Sequence, residues 1–146
     1  RDTHSEAELH IVGKGHPEDF AEVEGVHVHG FVEDLVAEYE KADMYVHPAR
    51  HDAFGVTVVE AMLVGSIPIV TNTTGAREEV QRINENLVSE PSVDSLAETV
   101  VGALSTTTET KQRWRETARD IANPYSEEVK LAEFEEQFEE LLDTIR

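Results

Sequence analysis

Short apolar runs that stop at glycine or proline, alternating with stretches of helical spacing, leave this chain few architectures. Leu9 to Val12 closes on Gly13-Lys14-Gly15, and Val26 to Gly30, rich in β-branched residues, again ends at glycine. Met44 to His47 stops at Pro48, Ile67 to Thr71 carries Pro68 near its start, and a brief fifth run sits at Leu87-Val88. Between these runs Leu35, Val36, Tyr39 and Ala42 keep helical spacing, residues 55–64 are apolar nearly all round, and residues 77–82 read as a short acidic helix. Strands this apolar need cover on both faces, and alternation with helices supplies it. The expected fold class is therefore α/β, a parallel sheet with helices on both faces. Further helices are expected over residues 93–104, 114–121 and 127–145, the second broken by Pro124. The last presents Leu131, Phe134, Phe138, Leu141, Leu142 and Ile145 as one stripe, expected to pack on the same domain.

In an open α/β sheet ligands bind outside the carboxyl ends of the strands, and three segments fall there. Gly13-Lys14-Gly15 gives a ligand close access to backbone, though a simple tight turn explains it as well. Gly30-Phe31-Val32 follows the second run in the same way. The third segment runs from His47 through Glu60, with Asp52 in a loop ahead of a helix opened by Phe54, Gly55 and Val56. A helix start leaves amides unpaired, and its dipole attracts anions or electron-rich oxygens. Glu60 stands alone among Val56, Val58, Val59, Ala61, Met62, Leu63 and Val64, so its carboxylate is expected to be at least half buried. A buried carboxylate needs donors. Vicinal sugar hydroxyls would serve, and so would backbone amides or an arginine such as Arg77.

These residues carry a resemblance. Asp52-x7-Glu60, with Phe-Gly between and Glu-Ala-Met at the end, resembles the E-x7-E signature of retaining GT-B glycosyltransferases of family 4 (glycosyl transferases group 1). Gly65-Ser66-Ile67-Pro68-Ile69-Val70 is similar to that family's G-x-P-V-V stretch and Gly75-Ala76-Arg77-Glu78 to its G-G-x-x-E turn, while Leu9 to Gly15, Gly30 to Val32 and Ala42-Asp43 fall in family order. The resemblance spans nearly the whole chain. It implies a single nucleotide-sugar-binding, Rossmann-like domain over residues 1–146, the C-terminal half of a two-domain enzyme, with a nucleotide diphosphate sugar as donor substrate and no metal or other cofactor. By the same resemblance Asp52 and Glu60 form the catalytic pair, Asp52 on the donor sugar's hydroxyls and Glu60 on the ribose. The Phe54, Gly55 and Val56 amides face the sugar or diphosphate, Gly30, Phe31 and Val32 lie by the base, and Gly13 and Gly15 leave room for the donor.

Two departures stand out. The family's leading Glu is Asp here, shorter by one bond of about 1.5 Å, so either the loop moves inward or a different sugar contact forms. The family's first strand, which carries an Arg and a Lys for the diphosphate, is expected to precede Arg1, as is the N-terminal acceptor domain. In the order 3-2-1-4-5-6 that strand is central, so Leu9–Val12 and Met44–His47 are expected to pair directly, or a second copy to fill the gap as a homo-oligomer. The chain alone is expected to be inactive. A non-catalytic α/β binding module, an inverting GT-B relative or a sugar-nucleotide epimerase are the alternatives.

Composition narrows the partners. Asp and Glu number 31 against 12 Lys and Arg, a formal charge of −19 that leaves no basic footprint for nucleic acid. The acidic excess and the arginines outnumbering lysines point to a halophilic, archaeal cytoplasm, where molar salt screens self-repulsion. Cysteine is absent, and no run approaches the roughly 20 apolar residues of a membrane span. A cytoplasmic location is expected, with membrane association of the full-length enzyme left open. His27 and His29 share a strand face, but no third metal ligand lies at a recognisable spacing, so they read as a plain strand face. Trp114 reads as a packing residue and Asn72-Thr73-Thr74 as an ordinary loop.

Overall fold

The strands of the computed structural model, which describes residues 6–15, 20 and 22–145, fall into two parallel sheets. In one, β1 (Leu9–Val12) pairs with β2 (Val26–Gly30), with His10 opposite His27. In the other, β4 (Ile67–Thr71) lies between β3 (Met44–His47) and β5 (Val88–Ser89). Direct pairing of β1 with β3, one of the two expected outcomes, is not in either ladder. The chain divides into two compact units, residues 1–38 and 39–146.

The helices are α1 (Leu35–Lys41), α2 (Val56–Val64), α3 (Arg77–Ile83), α4 (Val93–Leu104), α5 (Thr108–Ala122) and α6 (Glu127–Ile145). In the second unit all five residues of β4 are buried, so helices cover both faces of its sheet. Val58 and Met62 of α2, Val80 of α3, Ala103 of α4 and Ala118 and Ile121 of α5 close on Ile67, Ile69 and Val70, with Trp114 packed at the margin. Arg119 of α5 donates to the Val64 carbonyl at 2.9 Å, tying the end of α2 to the same core. The motif helix is thus held on one side by β4 and on the other by α5.

Two expectations change. α5 starts at Thr108, six residues before Trp114, because the Thr107 hydroxyl caps it by accepting from the Thr110 amide at 3.3 Å. The α6 stripe does not pack on the domain: Leu131, Phe134, Phe138, Leu141 and Leu142 are 39–64% exposed. Helical spacing reports an apolar face, not the surface that covers it. The Ile145 side chain lies outside the described residues. Among the described residues no helix is long and apolar enough to cross a membrane.

Candidate functional site

The loop between β3 and α2 folds as it does because a second loop, residues 72–76, clamps it from beside. Asp52 and Thr74 form a parallel bridge; the Asp52 amide donates to the Thr73 carbonyl at 3.2 Å and the Gly75 amide to the Asp52 carbonyl at 3.0 Å. The Thr73 hydroxyl donates to the Ala49 carbonyl at 3.0 Å, and the Thr71 hydroxyl donates to the same oxygen. The approach leaves no room for a side chain at position 75, where a Cβ would stand 2.1 Å from the Ala53 carbonyl oxygen. Gly55, at φ 86°, then turns the chain into α2 through a left-handed conformation that favours glycine.

This turn aims Asp52 back at its own loop. Its Oδ1 accepts from the Phe54 amide at 3.0 Å, and its Oδ2 lies 3.0 Å from His47 Nε2 at the end of β3. The Phe54 amide, the His47 ring and the Gly55 amide hold the carboxyl below its ordinary range. The expectation of unpaired amides is corrected here for Phe54 and Gly55, both of which turn to the Asp52 carboxyl. An aspartate accepts readily from the amide two residues on, and the shorter side chain reaches this donor. Val56, at the first helical position, has no intrahelical carbonyl for its amide. Its side chain and that of Phe54 are exposed.

Glu60 sits half-buried in the middle of α2, as expected. Its partner among the described residues is neither Arg77 nor backbone: the Tyr39 hydroxyl donates to Oε2 at 3.4 Å, a long and weak contact. Arg77 donates instead to the Asn72 carbonyl at 3.1 Å. Tyr39 meets Tyr45 edge to face at 5.3 Å, and the Tyr45 hydroxyl lies 2.8 Å from the Thr57 hydroxyl and 3.1 Å from His47 Nδ1. Burial, then the fields of Glu60 and Asp52, push the Tyr45 hydroxyl above its usual range against the Thr57 bond. Polar contacts thus run from Thr57 through Tyr45 and His47 to Asp52, and Tyr39 links the Tyr45 ring to Glu60.

Sequence reasoning named the two carboxylates but missed Tyr39, Tyr45 and His47. The alternation of Tyr45 and His47 on one face of β3, ending at the site loop, was the available signal. Two hollows of the second unit, one beside Trp114 and one beside Gly65, have neither Asp52 nor Glu60 in their walls. In the first unit Gly13, Gly15 and Gly30 all take positive φ, and a Cβ at Gly15 or Gly30 would meet no atom within 4 Å, so backbone there is both turned and open. Phe31 is exposed with the Lys14 ammonium 4.9 Å from its ring centre, and Val32 is half-buried.

Residues 1–106 match the family model described as Glycosyl transferases group 1. The chain belongs to this family. Among solved structures it is similar to the glycosyltransferase WaaG, involved in lipopolysaccharide biosynthesis, at 26% identity and a TM-score of 0.70, over 80% of this chain and 34% of that one. A glycosyltransferase from Rickettsia africae matches at 25% identity and TM-score 0.70, over 82% and 32%. Anabaena HepE, solved with UDP and glucose, shares the fold at 19% identity and TM-score 0.71, over 96% and 42%. The chain therefore spans about a third of the first two and well under half of the last. No curated protein matches. For this group 1 family member the parallel α/β architecture is the one its solved neighbours have.

Proposed function

We propose that this chain is the donor-binding, C-terminal half of a retaining glycosyltransferase, taking a nucleotide diphosphate sugar. The observation that carries the reading is Glu60, a half-buried carboxylate whose partner among the described residues is one hydroxyl at 3.4 Å. Such a group has acceptor capacity to spare, and vicinal ribose hydroxyls would use it. Asp52 would take hydroxyls of the donor sugar with the lone pairs left after Phe54 and His47, and the Gly55–Val56 end of α2 would face the diphosphate.

Amides and cations placed where negative charge grows would stabilise the departing diphosphate as the sugar becomes oxocarbenium-like, without a metal. The acceptor would sit on a domain outside this chain, so the 146-residue chain is expected to bind donor without turnover. A charge of −19 suits a salt-rich, halophilic cytoplasm, and a melting temperature that climbs into molar KCl is the corresponding expectation. Calorimetric titration with a panel of nucleotide sugars is expected to show one saturable site, weakened at least tenfold by Glu60→Gln with the melting temperature unchanged. A flat titration across the panel, or equal binding by the variant, contradicts the reading. Product stereochemistry from the full-length enzyme decides retention.

A further inference from the structure

Three imidazoles gather on the face of the β1–β2 ladder. Histidines 10 and 27 are directly opposite in the register, which the sequence spacing cannot show, and their rings stack at 4.9 Å. Glu8, just ahead of β1, brings its two oxygens to them: Oε2 is 3.6 Å from His10 Nε2 and Oε1 is 3.7 Å from His27 Nε2. One ligand atom from each of the three residues lies within 4.8 Å of the other two. All three side chains are exposed.

We propose that Glu8, His10 and His27 bind a divalent transition metal, zinc or a neighbour in its series, outside the donor site. A tetrahedral ion with bonds of about 2.1 Å to nitrogen and oxygen holds its ligand atoms about 3.4 Å apart. The 3.6 and 3.7 Å contacts are made by different oxygens of Glu8, and with one atom from each residue the set lies within 4.8 Å, so the three exposed side chains close by up to about 1.4 Å onto one ion. The third ring supplies an orientation. His10 Nδ1 lies 2.8 Å from His29 Nε2, with the rings stacked at 5.0 Å. A proton on Nδ1 donated to His29 leaves the Nε2 lone pair of His10 aimed at Glu8 and the ion, the arrangement that outer partners commonly impose on ligating histidines.

Two imidazoles and a carboxylate, with no sulfur in reach, suit zinc, copper, nickel or cobalt better than calcium or magnesium. Three protein ligands leave a position for water or a further group. The strongly acidic chain draws cations toward its surface, and the ion would join β1 to β2, a ladder of two strands that is marginal by itself.

The test is a calorimetric titration of zinc chloride into the tagless chain, paired with hydrogen exchange of the β1–β2 amides. One zinc per chain with a dissociation constant in the micromolar range, and slower exchange at His10 and His27, are expected. His27→Ala and Glu8→Gln should each weaken binding about a hundredfold, and His29→Ala about tenfold as a positioning residue. His51→Ala should change nothing. Each substituted side chain is exposed, and an unchanged circular dichroism spectrum keeps the comparison valid. No saturation by 100 μM zinc, or undiminished binding in His27→Ala, overturns the proposal.

Discussion

The loop that carries Asp52 and the helix that carries Glu60 hold their carboxylates by opposite means. Asp52 is answered by its own surroundings, at 3.0 Å by the Phe54 amide, at 3.0 Å by His47 and by the Gly55 amide beside them. Glu60 is placed more rigidly, on a helix wedged between β4 and α5, yet has one long hydroxyl contact. The first side chain is spent largely on shaping its loop. The second is fixed in position and left with unused acceptors, which is the condition for recognising a ligand rather than the fold.

The largest effect that separates the two comes from Gly75→Ala. Its Cβ would press on the Ala53 carbonyl, so the clamp on the Asp52 loop should open at a cost of about 3 kcal/mol, read from urea denaturation. Donor affinity should fall with it. Glu60→Gln should do the reverse, leaving stability within about 0.5 kcal/mol and weakening donor binding by about ten- to a hundredfold, as expected for loss of hydrogen bonds to a charged acceptor.

Asp52→Asn sharpens the comparison through pH. The folded-state pKa of Asp52 is depressed, so its contribution to stability is present above the ordinary carboxylate range and fades as pH falls through the lower folded value. Wild type should therefore be more stable than Asp52→Asn near neutrality, and the gap should close in acid, measured by melting temperature from pH 7 to pH 2. The smallest effect belongs to Tyr39→Phe. A bond of 3.4 Å contributes little, so donor affinity should change by less than about threefold.

Sequence reached the core of this account for a physical reason: an apolar helix bounded by Gly55 and Gly65, followed by the fully buried strand Ile67–Thr71, has few ways to fold. Glu60 was visible because a lone carboxylate interrupts that run. What escaped depends on contacts between segments. Thr108 to Arg113 is polar and shows no apolar spacing, so the start of α5 was hidden, although Thr107 was there as its cap. The Asp52–Phe54 bond arises from a turn imposed by the 72–76 loop, and the histidine cluster from the register of two strands. Amphipathic spacing in α6 showed a stripe without showing that the chain leaves it exposed.

The claim that Glu60 receives ribose hydroxyls is tested most directly by a thermodynamic cycle. Wild type and Glu60→Gln would each be titrated with the nucleoside diphosphate that binds best and with its 2′,3′-dideoxy form. Removing the hydroxyls is expected to weaken wild type at least tenfold and the variant hardly at all. Equal losses in both proteins would contradict it.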